Sequence, residues 1–211
     1  PGIANAPIDG NQPFAVVLVS SDASMSTMQH CADFGDAYLL QGHINGATTF
    51  VCQDLVNVCG LLSALQDATV VVDPKAKLLV GFSFGHGAIV APQKRSDEPR
   101  YSGRVVDTAQ ELYEIACGLS STTSAILTVG EVGVLVAEMA SDAQQSFAGI
   151  NSNNPLAPGA SPAFTDCLNK LNSFKDVADR KFKGGIVRRI VTVAYGNIPH
   201  PQPDEVRTSC L

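Results

Sequence analysis

Several features are missing from this chain of 211 residues, and each absence excludes a class of function. Lys and Arg number 14 against 20 Asp and Glu, and the only Arg pair, Arg188-Arg189, belongs to no basic stripe. Binding to the backbone of a nucleic acid is therefore not expected. No apolar run reaches the roughly 18–20 residues that a membrane-spanning helix needs, and no charged start followed by an apolar stretch indicates a secretory signal.

Spacings typical of metal and phosphate sites are missing as well. No C-x-x-C and no paired Cys/His spacing occurs, so we expect no metal site. The chain has 18 glycines, yet neither G-x-x-x-x-G-K-[ST] nor a G-x-G-x-x-G after a strand appears. No phosphate-binding loop is therefore predicted.

The composition that remains is that of a compact protein. Apolar residues make up 45% and charged residues 16% of the chain, which favours one globular α/β domain over residues 1–211. The even number of cysteines permits up to three disulfides and favours a secreted location, with buried thiols as the alternative. The six cysteines are Cys31, Cys52, Cys59, Cys117, Cys167 and Cys210.

Strand-like and helix-like segments alternate along the sequence after an irregular arm at residues 1–13. Strands are predicted at residues 14–19, 48–52, 77–82, 125–129 and 186–194. Helices are predicted at about residues 24–40, 55–65, 105–119, 132–146 and 164–178. The alternation predicts an α/β three-layer sandwich with a mostly parallel central sheet. Ligands of such sheets bind beyond the carboxyl ends of the strands.

The segment 77–87, KLLVGFSFGHG, contains the most specific motif of the chain. An apolar run leads into Gly81-Phe82-Ser83-Phe84-Gly85, a G-x-S-x-G that is typical of a strand–elbow–helix turn presenting a nucleophilic serine. Glycines two residues before and after the serine would remove Cβ atoms from a crowded bend. An alternative stays open, because residues 69–72 and 77–80 could pair as a hairpin and leave Ser83 on an antiparallel strand.

In the elbow interpretation Ser83 attacks an acyl carbonyl and needs an imidazole base held by a carboxylate. Of the four histidines, only His86 and His200 follow Ser83. His86 lies on the wrong side of the elbow, so His200 is the predicted base and Asp179, before the last strand, is the predicted acid. The predicted oxyanion donors are the backbone N–H of Phe84 and a group from Ser20 or Ser21.

Residues 74–91, with weaker echoes at residues 14–21, resemble the α/β-hydrolase superfamily, and the small cutinase-like and lipase-like esterases are closest in length. The resemblance implies that the chain is a serine hydrolase acting on an ester or other acyl substrate. It also implies that no cofactor is needed.

A second resemblance, to the caspase–legumain clan of cysteine peptidases, uses the end of the same motif. There an apolar strand runs into a His-Gly, which His86-Gly87 matches, but the nucleophile position falls at Gly130 where the family needs cysteine. This resemblance implies an inactive relative, with Glu131 as a candidate pocket acid. A third alternative is an α/β interaction or structural domain without catalysis.

Overall fold

One eight-stranded sheet organises the computed structural model, which describes residues 10–21, 23–44, 46–73, 75–90, 98–119, 124–148 and 162–210. Its strands are β1 (Gly10–Ser21), β2 (Tyr38–Ile44), β3 (Ala47–Cys52), β4 (Leu78–Val90), β5 (Arg100–Ser102), β6 (Ser124–Val129), β7 (Leu171–Lys181) and β8 (Val187–Tyr195). The helices are α1 (Met25–Phe34), α2 (Leu55–Gln66), α3 (Arg104–Cys117), α4 (Gly130–Ala148), α5 (Pro162–Asn169) and α6 (Pro203–Ser209), and a π-helical turn follows α2 at Asp67–Val71.

The strands lie in the order β2-β3-β1-β4-β6-β8-β7, and β5 pairs with the end of β4. Among these pairs only β4 and β6 run parallel; the others are antiparallel. The α/β prediction is therefore confirmed, whereas the mostly parallel sheet is wrong. The unbroken apolar run of β1 reports burial on both faces, and a strand buried on both faces can have antiparallel neighbours as well as parallel ones.

Helices cover both faces of the sheet, as the alternation of side chains along β1 demonstrates. Phe14, Val16 and Leu18 pack with residues of α3. Ala15, Val17 and Val19 belong to the larger cluster that includes residues of α1 and α2. The sheet therefore has α3 on one face and α1 with α2 on the other.

A helix approaches the sheet closely at Gly81 on β4. A Cβ atom on Gly81 would stand 2.7 Å from the Cα of Tyr113 and would overlap its backbone nitrogen. Leu112 and Ala116 of α3 are fully buried, so the helix lies flat on this part of β4. Glycine at position 81 is thus required by backbone packing.

Three predicted boundaries are wrong. The helix predicted over residues 24–40 ends at Phe34, because Asp36 adopts a positive φ of 48° that no α-helix continues through. The helix predicted over residues 164–178 ends at Asn169, and β7 begins at Leu171. The irregular arm predicted for residues 1–13 is strand from Gly10 onward, while residues 1–9 lie outside the described residues.

All six cysteines are free thiols, so the predicted disulfides are wrong. Cys52, Cys59 and Cys167 belong to the buried core and act there as small apolar side chains. Burial raises the pKa of Cys59 to about 12. Nothing in the structure supports a secreted location. Among the described helices, none combines the length and the apolar character needed to cross a membrane.

Candidate functional site

The G-x-S-x-G segment lies in the middle of β4, so no strand-to-helix elbow exists. Ser83 faces Val16 of β1 in the antiparallel ladder and is 1% exposed. Its Oγ has no hydrogen-bond partner in the part of the chain that the structure describes. The pairing of residues 69–72 with 77–80 is wrong, because residues 67–71 form the π-helical turn, but the expected consequence, Ser83 on an antiparallel strand, is confirmed by the pairing with β1. The predicted nucleophile is therefore buried in the protein interior.

The predicted oxyanion donors do not meet. Phe84 pairs with Ala15, whereas Ser20 pairs with Leu79, five residues earlier on β4. At the rise of an extended strand this places Ser20 about 17 Å from Phe84. Ser21 lies one step farther still, opposite Leu78.

The residues of the alternative site, at and beyond the end of β4, have local contacts that support the fold. His86 is exposed and lies opposite Pro13. A Cβ on Gly87 would stand 2.6 Å from the carbonyl oxygen of Ser102, so glycine permits the pairing of β4 with β5. Glu131 is exposed in the first turn of α4, where a carboxylate favourably faces the helix dipole.

His200 is placed at the edge of the sheet beside a different serine. Its Nε2 lies 2.8 Å from the Oγ of Ser173 on β7. Its Nδ1 lies 2.8 Å from the Oγ1 of Thr192 on β8. Thr192 is fully buried, whereas Ser173 is exposed. Because β6 lies between β4 and β8, about 10 Å separates the strand of Ser83 from the strand that holds Thr192.

The hydrogen bonds assign the protonation state of this trio. The Thr192 hydroxyl donates to the carbonyl oxygen of Lys175 at 3.3 Å, so its oxygen accepts from Nδ1–H of His200. Nε2 is then the free acceptor, and the Ser173 hydroxyl donates to it. Burial, and then the positive charge of Lys175, lower the pKa of His200. The imidazole is therefore neutral at physiological pH and able to accept a proton.

The predicted acid Asp179 does not orient His200. Asp179 lies opposite Arg189 in the β7–β8 ladder, and its Oδ1 is 3.2 Å from Arg189 Nε. Asp176 binds the same guanidinium through Nη1 at 3.2 Å. The hydrogen bonds to Asp179 and then Asp176 raise the pKa of Arg189. Asp179 is six residues from Ser173, roughly 20 Å along the strand.

A charged cleft of about 280 Å³ lies between α3 and the β7–β8 hairpin. It is lined by Asp107, Gln110, Glu111, Glu114, Arg180 and Lys183. The four α3 residues are spaced i, i+3, i+4 and i+7, so they share one helix face. The opposite face of α3, with Val105, Ala109 and Leu112, is buried in the protein. The amphipathic helix therefore presents three carboxylates and an amide to the hairpin.

The two cations of the charged cleft are held differently. Arg180 is only 26% exposed; its Nε lies 3.9 Å from Glu111 Oε2, and its Nη1 donates to the carbonyl oxygen of Ser209 at 3.5 Å. Lys183 is 75% exposed and its Nζ lies 3.5 Å from Asp107. The backbone N–H of Lys183 donates to Glu111 Oε1 at 2.7 Å. Arg180 is thus fixed, whereas the Lys183 ammonium is free to turn toward a ligand.

Of these two arrangements, only the charged cleft has a signal in the sequence. The predicted helix over residues 105–119 already places Asp107, Glu111 and Glu114 on one face. Ser173 and Thr192 have no such signal, because Ser173 falls in the helix predicted over residues 164–178, Thr192 falls in the strand predicted over residues 186–194, and their proximity depends on the β7–β8 register. Within the described residues no three His, Cys, Asp or Glu side chains gather where a metal ion could be held.

Several solved structures of adenylyl cyclases have a fold similar to that of this chain. A bacterial light-regulated adenylyl cyclase superposes with a TM-score of 0.53 at 8% identity, over 95% of this chain and 99% of that chain. Adenylate cyclases of Trypanosoma brucei in their monomeric state give 0.52 at 8% identity, over 86% and 88%. Another structure of a bacterial light-regulated adenylyl cyclase gives 0.52 at 7% identity, over 96% of this chain and 58% of that one.

No protein-family model matches the chain, and neither does any curated protein sequence. At this level of identity the likeness describes the fold alone. The resemblances to α/β-hydrolases and to the caspase–legumain clan are wrong, and the serine hydrolase function is wrong with them. The physical reason is the continuous strand through Ser83, since a hydrolase of that type needs the chain to turn there.

Proposed function

We propose that the chain is a cyclase-type nucleotide domain that binds adenosine triphosphate with magnesium, and that cyclisation of this nucleotide is the reaction to which its fold is suited. The observation that carries the proposal is the superposition on a bacterial adenylyl cyclase over 95% of this chain and 99% of that one. The substrate is thus a small molecule, but a nucleotide instead of an ester.

The charged cleft supplies the groups that such a substrate needs. Cyclisation is an intramolecular phosphoryl transfer, which proteins accelerate by positioning the phosphates and by stabilising their charge. Arg180 has a planar fork of donors suited to phosphate oxygens, and the exposed Lys183 adds a movable positive charge. We therefore assign the triphosphate to this side of the cleft.

The carboxylates of the charged cleft would repel a bare triphosphate, so the magnesium complex is the fitting ligand. Mg²⁺ is commonly bound through one or two carboxylates together with substrate phosphates. Asp107 and Glu111, one helical turn apart on α3, match that donor set. Asp107 now contacts the Lys183 ammonium, which the arriving phosphates would bind instead, whereas Glu111 accepts from the Lys183 backbone N–H.

Titration calorimetry with Mg-ATP, and with Mg-GTP for comparison, tests the binding step. Arg180→Gln and Lys183→Gln should each weaken binding about tenfold or more, since each removes a charge-assisted hydrogen bond. Lys75→Gln is the matched control, because Lys75 is exposed in the turn before β4 and does not line the cleft. Thermal unfolding of Arg180→Gln checks that the variant folds.

Mass spectrometry of the nucleotide products tests the reaction step. Cyclic AMP that forms with Mg-ATP and disappears in Arg180→Gln would support the whole proposal. Binding without a cyclic product would keep the nucleotide site and reject cyclisation. If neither nucleotide binds to the folded protein, or if Lys75→Gln weakens binding as much as Lys183→Gln, the cleft is not the site.

A further inference from the structure

The trio of Ser173, Thr192 and His200 at the sheet edge is not used by the nucleotide proposal. We propose that Ser173 is a modification site, at which the hydroxyl accepts a phosphoryl group from an activated phosphoryl donor with His200 as the general base and Thr192 as the positioning residue. The proposed acceptor is independent of the charged cleft.

The geometry is that of a hydroxyl with its base in place. A nucleophile needs a base within hydrogen-bond reach, and that base needs a third group to fix its tautomer. The Ser173 Oγ–His200 Nε2 and His200 Nδ1–Thr192 Oγ1 distances are both 2.8 Å. The Thr192 hydroxyl donates a hydrogen bond to the Lys175 carbonyl oxygen and so accepts from Nδ1–H of His200, which leaves Nε2 as the site that receives the serine proton.

The reaction requires an accessible nucleophile and a rigid positioning residue, and Ser173 and Thr192 meet these two requirements. Ser173 is exposed on the edge strand β7, so a donor can reach its oxygen. Thr192 is fully buried and therefore fixed. A register shift in the β7–β8 ladder occurs between Leu171 and Ser173, and such bulges commonly redirect a side chain beside a functional site.

Lys175 explains why the acceptor is matched to a phosphoryl group. Ser173 and Lys175 are two residues apart on a regular stretch of β7, so their side chains share a face. Thr192 lies directly opposite Lys175. The ammonium group therefore stands beside the trio, where it can attract an anionic donor and neutralise charge on the transferred group.

The step balances without further reactants. The bond between Ser173 Oγ and phosphorus forms while the bond between phosphorus and the donor's bridging oxygen breaks. The leaving group takes that electron pair, and the serine proton moves to His200 Nε2. The product phosphoserine then faces the His200 imidazolium and the Lys175 ammonium, two charges that stabilise a phosphate dianion.

The test incubates the folded chain with acetyl phosphate, and separately with Mg-ATP, and measures phosphate on each serine-containing peptide by mass spectrometry. Ser102, exposed on β5, is the internal control. Ser173 should be modified about 100-fold faster than Ser102, because general-base assistance contributes at least that factor. The two donors distinguish a small acyl phosphate from a nucleoside triphosphate as the source.

Three variants separate a chemical role from a structural one. His200→Gln should lower the Ser173 rate about 100-fold and leave the Ser102 rate unchanged. Thr192→Val should lower it at least about tenfold through loss of the correct tautomer, and Thr192→Ser should restore it. Equal rates at Ser173 and Ser102 in the parent chain would overturn the proposal even if a variant fails to fold. A His200→Gln rate equal to the parent's would also overturn it.

Discussion

The strands β4 and β7 each carry a serine that chemistry could use, and the two serines have opposite environments. Ser83 has the motif, but it is buried on a central strand, and none of the described residues hydrogen-bonds its hydroxyl. Ser173 has no motif, yet it is exposed on an edge strand with an imidazole at 2.8 Å. This difference indicates that the contacts of a serine across the sheet, and not the sequence motif around it, decide whether its hydroxyl can react.

The largest effect on stability is expected when the packing of β4, the strand of Ser83, is disturbed. Gly81→Ala should lower the free energy of unfolding by about 3 kcal/mol or more, because the new Cβ overlaps the backbone of Tyr113 and neither backbone can move away. Urea denaturation measures the change. Gly85→Ala is the matched control: its Cβ would meet no atom within 4 Å, so we expect no loss of stability. Equal losses would mean that the motif glycines are not distinguished by packing.

Replacing each serine by alanine sharpens the comparison directly. Ser83→Ala should raise the free energy of unfolding by about 1 kcal/mol, since it removes a buried hydroxyl that has no partner among the described residues. Ser173→Ala should lower it by at most about 1 kcal/mol through loss of one exposed hydrogen bond. A clear loss of stability in Ser83→Ala would mean that its hydroxyl has a partner.

The stability of the protein should depend on pH through His200, which lies beside Ser173 and not beside Ser83. Folding lowers the pKa of His200 from 6.5, so above that pH both the folded and the unfolded state are neutral and the stability is complete. As the pH falls below 6.5, the unfolded state binds the proton first and stability is lost. Denaturation at several pH values should reveal a decline below pH 6.5 that His200→Gln lacks. The effect should be small because the ring is only half-buried.

The smallest effect is expected at the outer end of β7. Asp179→Asn should leave the free energy of unfolding almost unchanged, because Asp179 and Arg189 are both more than half exposed and water screens their attraction. Added salt should reduce this difference further. A clear loss of stability that resists salt would contradict the description of the pair as a surface contact.

Local patterns in the sequence predicted several elements correctly. The helical spacing of residues 55–65 corresponds to α2, and residues 105–119 correspond to α3. The apolar runs at residues 125–129 and 186–194 correspond to β6 and β8. The helices were predictable because each buries one face at helical spacing, and the strands because burial on both faces leaves an unbroken apolar run.

The errors come from properties that no local pattern contains. Gly81 and Gly85 are equivalent in the motif, yet only Gly81 touches a helix backbone. The charged segment of β7 has the composition of a helix, but it lies on a sheet edge, where charges are favoured because they discourage further pairing. The partner of His200 depends on the β7–β8 register, which is set by pairing between distant residues.

Tyr195 of β8 joins two helices through hydrogen bonds that a moderate change of pH does not break. Its phenolic hydroxyl lies 3.0 Å from the Cys59 carbonyl of α2 and 2.7 Å from the Cys167 carbonyl of α5. Burial raises the pKa of Tyr195, so the shared hydrogen stays in place in mild acid and mild alkali alike. A single hydroxyl group thereby links α2 and α5 to β8, so a displacement of either helix would disturb the hydrogen bond to the other.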